Sequence, residues 1–127
     1  MITPYRVWDG ENMHYWDDEG MRLFIDGGEW MLYSVRSGEM IFEITNSKNK
    51  NAALMWGTGL KDKNEKTIYE KDIDMVDNEP MIVVYENAHF GVKFPDNHAY
   101  FDAYIDWGEC DIGGNIYENP ELLEGAR

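Results

Sequence analysis

His98, Asp102 and Asp106 recur at intervals of four and form the pattern in this chain with the most obvious chemistry. On a helix they would line one face, where an imidazole and two carboxylates could hold a divalent ion for metal-assisted hydrolysis. On a strand they would also share a side, though spread along about 13 Å. A solvated acidic edge is the simpler reading, so the three stand as minor metal candidates and no metal or other cofactor is expected. Cys110 is alone, and His14, His89 and His98 are irregularly spaced, so no zinc pattern forms. Asp72, Asp74 and Asp77 lack the Gly and terminal Glu of a calcium loop.

Nucleophilic catalysis finds no anchor either. Ser34, Ser37 and Ser47 sit in strand or turn contexts without a Gly-x-Ser-x-Gly elbow. The acidic neighbours of Cys110, Glu109 and Asp111, would suppress its thiolate. Gly57-Thr58-Gly59 is too short to cradle a nucleotide and reads as a turn into a hairpin. Asp17-Asp18-Glu19 offers paired carboxylates but reads as a turn. The sequence therefore points away from an enzyme.

Charge narrows the partners. The net charge is −14, and from Pro95 onward Arg127 is the only basic residue, whereas the lysines cluster between Lys48 and Lys71. A carboxylate-rich surface repels a phosphate backbone, so direct nucleic-acid binding is not expected. The same balance suits a basic protein partner or mimicry of DNA. Trp8, Trp16, Trp30, Trp56 and Trp107, with eight tyrosines, could stack bases only beside a basic track. Core packing and protein interfaces explain them better. No apolar run reaches membrane-spanning length, and the polar start does not resemble a signal peptide. With a lone cysteine, the expected location is the bacterial cytosol.

These residues need elements to position them. Turn signals recur every eight to fifteen residues between short segments rich in aromatic and β-branched residues, the grammar of an antiparallel β protein. Tyr5–Asp9 and Met13–Trp16 read as a hairpin across Gly10-Glu11-Asn12. Trp30–Val35 and Glu39–Ile44 read as strands joined by Arg36-Ser37-Gly38, with Met40, Phe42 and Ile44 on one face. Asn46–Asn51 reads as a mobile loop dividing an N-terminal hairpin lobe, residues 1–52, from a barrel over 53–127, the two together forming either two lobes or one compact unit. In the second half Ile73–Val76, Met81–Tyr85 and Gly91–Phe94 read as successive strands, with Pro80 just before its strand. His98–Trp107 fits a strand by alternation but also a helix. Ile116-Tyr117 reads as a closing strand, and Asn119-Pro120-Glu121 as the capped start of a short helical turn.

Three segments carry a family likeness. Tyr5-Arg-Val-Trp-Asp9, with Trp8 and Asp9, is similar to the opening Phe/Tyr-Arg-x-Trp-Asp of the YopX family of phage and prophage proteins. Thr58–Asp74 resembles its central segment, with Thr58, Gly59, Leu60, Asp62, Asn64, Ile68, Tyr69, Glu70, Asp72 and Ile73 as the matching positions. Ile112–Leu123 resembles its closing segment through Gly114, Asn115, Ile116, Tyr117, Glu118, Asn119 and Pro120. The resemblance implies a mainly β structure, little helix, and a small SH3-like barrel in the C-terminal half. It implies no known activity. Two departures matter. The family usually carries Asn-Gly where this chain has Asn64-Glu65, and Tyr-Glu-Gly-Asp where it has Tyr69-Glu70-Lys71-Asp72. If those glycines hold positive φ, this chain bears about 1 kcal/mol of backbone strain at each site.

The resulting expectation is a non-catalytic phage or prophage accessory protein that acts through an unidentified host or phage protein, or as a homo-oligomer. An acidic DNA-mimic decoy is the alternative, and a metal-dependent hydrolase the lesser one. Asn115, Glu118 and Asn119 are candidates for a polar recognition surface, against a purely structural role in closing the sheet.

Overall fold

The computed structural model describes residues 3–96, 100–101 and 105–124. Among them are twelve strands, a 3-10 turn and one four-residue helix, so the chain is mainly β, with antiparallel sheets. It divides into two compact units, Ile2–Met55 and Trp56–Arg127.

In the first unit β1 (Tyr5–Trp8) pairs with β2 (Met13–Tyr15), with Trp8 opposite Met13. A three-stranded sheet follows in the order β3 (Met21–Asp26), β4 (Glu29–Arg36), β5 (Glu39–Asn46). Ser37 and Gly38, at φ +53° and +83°, make the two-residue turn whose twist matches the flanking strands. The strand Met21–Asp26 has no clear alternation, because Leu23, Phe24 and Ile25 are consecutive, and sequence reading did not find it.

The expected common face of Met40, Phe42 and Ile44 is overturned by two register slips in β5. Met40 lies opposite Val35 and Phe42 opposite Ser34. Val35 and Ser34 are adjacent on β4 and point to opposite faces, so Met40 and Phe42 do too. The segment 46–51 is also more structured than a mobile loop. Asn46 Oδ1 accepts the Lys48 N–H, Asn49 Oδ1 accepts the Asn51 N–H, and the Asn49 side-chain amide donates to Thr45 Oγ1 at 3.0 Å.

β6 (Ala53–Lys61) begins in the first unit and ends in the second, where it pairs with β7 (Thr67–Tyr69). Thus Gly57-Thr58-Gly59 belongs to a strand with a register irregularity, not to a turn. Next come β8 (Asp72–Asp74), β9 (Met81–Glu86), β10 (His89–Lys93), β11 (Tyr100–Phe101) and β12 (Ile112–Asn115). They form an antiparallel half-barrel in the order β11-β10-β9-β8-β12. β12 closes this sheet four residues earlier than expected, and Ile116-Tyr117 lies in the turn that follows it. The 3-10 turn is Trp107–Glu109, and the helix α1 is Glu121–Glu124. The core of the unit gathers Ile68, Val83, Val92, Cys110 and Ile112, with Met81, Phe90, Ile105 and Trp107 packed against it. Pro80 is buried just before β9, where no ladder N–H is lost.

Candidate functional site

Most polar residues of the signature segments bond to the backbone. Asp9 Oδ1 accepts the N–H groups of Glu11 and Asn12 and so builds the β1–β2 turn, while its Oδ2 lies 2.7 Å from His14 Nε2. Burial pushes the Asp9 carboxyl up, but these hydrogen bonds and the His14 charge outweigh it and hold the group below the usual carboxylate range. Thr58 Oγ1 donates to the Ile68 carbonyl across β6 and β7. Glu70 Oε1 accepts the Trp56 N–H, and Asp72 Oδ2 accepts the Tyr69 N–H, which fixes the turn between β7 and β8. In that turn Lys71 stands at φ +72°, and at the β6–β7 tip Glu65 stands at φ +66°.

The lysine-rich tip between β6 and β7 is not a freely projecting loop. Asp62 is 2% exposed and accepts three N–H bonds, from Asn64, Lys66 and, fifty residues away in sequence, Ile112. Burial raises its pKa, but the three N–H groups and the Lys66 charge together hold it below the ordinary value. The Lys63 N–H donates to the Cys110 carbonyl, and Asp74 Oδ1 accepts the N–H groups of Val76 and Asp111. Cys110 sits among these carboxylates. Burial first, then the charges of Asp74, Asp62 and Asp106, push its thiol up to about 12. The expected suppression of the thiolate holds, through buried aspartates more than through its sequence neighbours.

The closing segment is equally self-contained. Asn115 is buried, its Oδ1 accepts the N–H groups of Tyr117 and Glu118, and its amide donates to Glu118 Oε1 at 2.9 Å. Asn119 Oδ1 accepts the Asn115 N–H, so the side chain turns back onto β12 instead of capping α1. The Asn119 and Pro120 carbonyls take the first N–H bonds of the helical turn. Asn115, Glu118 and Asn119 thus bond mainly to one another and to the turn they build.

Of the metal candidates, His98 and Asp102 lie outside the described residues, and Asp106 precedes the 3-10 turn with its carbonyl near Cys110 Sγ. Among the described residues no three His, Cys, Asp or Glu side chains converge on a metal-sized site. Asp72 and Asp74, two members of the rejected calcium pattern, are buried within β8. Ser47 Oγ accepts the Trp30 N–H. All five tryptophans are half-buried.

Among its exposed charged residues, the first unit also leaves apolar side chains open. On β5, Met40, Ile41 and Phe42 are 54%, 55% and 59% exposed, and on β3 Phe24 and Ile25 are exposed as well. Phe24 stacks edge-on against Tyr33, with ring centroids 5.7 Å apart. Alternation put Met40 and Phe42 on one face of the strand; the bulges part them, and both are exposed. A shallow cleft at the other end of this sheet, lined by Glu29, Trp30, Met31, Glu43, Asn46, Ser47 and Lys48, is partly closed by its own Lys48–Glu29 and Asn46–Glu43 contacts.

The sequence profile described as YopX protein matches residues 4–124. An SPbeta prophage-derived uncharacterized protein YopX of Bacillus subtilis (strain 168) is 36% identical, with both chains covered in full. The crystal structure of yopX from Bacillus subtilis superposes with a TM-score of 0.76 at 34% identity, over 97% of this chain and 99% of that one. Protein EF1440 from Enterococcus faecalis superposes with a TM-score of 0.60 at 25% identity, over the same shares.

Proposed function

The chain belongs to the YopX family, and from that premise we propose that it is a non-catalytic accessory protein of a phage or prophage that acts in the bacterial cytosol by holding another protein on the sheet β3–β4–β5. One observation carries this reading. Three consecutive apolar side chains of β5 are each more than half exposed, whereas most polar residues of the signature segments are spent on turns and cross-strand bonds within the fold. Exposed apolar side chains concentrated on one edge strand, reaching to both faces of it, mark a protein contact surface. The prophage origin of the Bacillus subtilis relative supports the accessory role.

The test is co-purification from bacterial cells expressing the chain. Ile41→Lys and Phe42→Lys are expected to release a partner that the wild type retains, while Glu109→Ala with Glu121→Ala, on the acidic end, keeps it. Retention by the apolar variants and loss by the acidic-end variant would reverse the assignment. The net charge of −14 favours a second reading, an acidic decoy for a DNA-binding protein. Free DNA would displace the partner of a decoy and leave a partner held by β5 in place.

A further inference from the structure

We propose that the outer side of β5 receives an extended segment of another protein that is both apolar and cationic, and not a second copy of this chain. The proposal rests on the reading of this sheet as a contact surface and adds the chemistry of what it holds. β5 is an edge strand of its sheet. Edge strands that stay solitary are blunted by charge, above all lysine, by proline, by bulges or by a covering element; β5 carries neither lysine nor proline, and its glutamates leave the apolar triplet between them uncovered. Its register slips interrupt a regular ladder beside Ile41 and Ile44, so side chains rather than a long run of backbone pairing hold the partner.

Charge decides the occupant. Glu39 and Glu43 are the only charged residues of β5, and they bracket Met40-Ile41-Phe42. Glu39 faces Arg36 across the strand, but Glu43 faces Tyr33 and bonds the neutral amide of Asn46 at 2.6 Å. If two copies paired β5 against β5, antiparallel and centred on Ile41, Glu39 of each would lie against Glu43 of the other. Like charges directly opposite destabilise a pair of strands, and each copy brings a net charge of −14. A segment with Lys or Arg flanking apolar residues reverses both terms: its apolar centre covers the exposed triplet while its ends meet the two glutamates.

A randomised peptide library displayed on yeast, sorted against the full-length chain, tests this. Binders are expected to carry Lys or Arg on either side of an apolar or aromatic centre. They should lose at least tenfold in affinity for the Ile41→Asp/Phe42→Asp variant, whose melting curve should match the wild type because both side chains are exposed. Glu39→Lys/Glu43→Lys should shift the selected sequences toward Asp and Glu. Apolar binders without cations, indifferent to the glutamate reversal, would overturn the proposal and leave the contact surface standing. A wild-type dimer in sedimentation that dissolves in Ile41→Asp/Phe42→Asp would overturn it in favour of a second copy. Absence of any binder sensitive to the β5 variants would sink both the proposal and the contact surface.

Discussion

Lys71 and Glu65 occupy left-handed backbone at φ +72° and +66°, the two positions where the family usually has glycine. A side chain there costs about 1 kcal/mol relative to glycine. Lys71→Gly and Glu65→Gly should each stabilise the fold by about that amount in urea or thermal melts; equal or lower stability would contradict the strain. Asp62 carries the opposite weight. With three N–H bonds converging on a buried carboxylate, Asp62→Asn should cost about 2–3 kcal/mol. The folded-state pKa values of Asp62 and Asp9 lie below their unfolded ones, so their stabilisation is complete above the unfolded pKa and is lost as pH falls through the folded one. Stability should therefore fall with acidification below about pH 4, and less steeply in Asp62→Asn. The buried Cys110 thiol, pushed up to about 12, should alkylate roughly a hundredfold or more slowly in the native state than in denaturant.

At the scale of elements, the hairpins were legible because turn chemistry is local. Ser37-Gly38 and the signature turn at Glu70-Lys71 stand where the residues placed them. The positive φ at Lys71 was legible from a missing glycine. The bulges of β5 were not, because a register slip depends on the partner strand, and nothing in Met40-Ile-Phe-Glu-Ile44 announces it. The closing segment was half-legible: its structural role could be read, but Ile116-Tyr117 form a turn, not a strand, and Asn119 bonds backward. That backward bond explains Gly114. A Cβ there would meet the Asn119 side chain, including its Cβ at 2.8 Å, so Gly114→Ala should destabilise by about 2 kcal/mol in a melting experiment. Phe42→Lys, on an exposed side chain, should leave the melting temperature almost unchanged.

On the scale of the whole molecule, the two units divide the work. The second unit holds the half-barrel, the buried carboxylates and two of the three signature segments. The first holds the remaining segment, whose Asp9 also builds a turn, and a sheet with much of its apolar surface uncovered. The family motifs are thus construction, and the proposed contact with other molecules falls on residues outside them. Site-specific photo-crosslinking in bacterial cells tests that assignment most directly, with the reactive amino acid placed at Ile41 in one strain and at Glu118, in the closing signature turn, in another. A discrete protein adduct is expected from Ile41 and none from Glu118; an adduct from Glu118 with none from Ile41 would contradict the assignment.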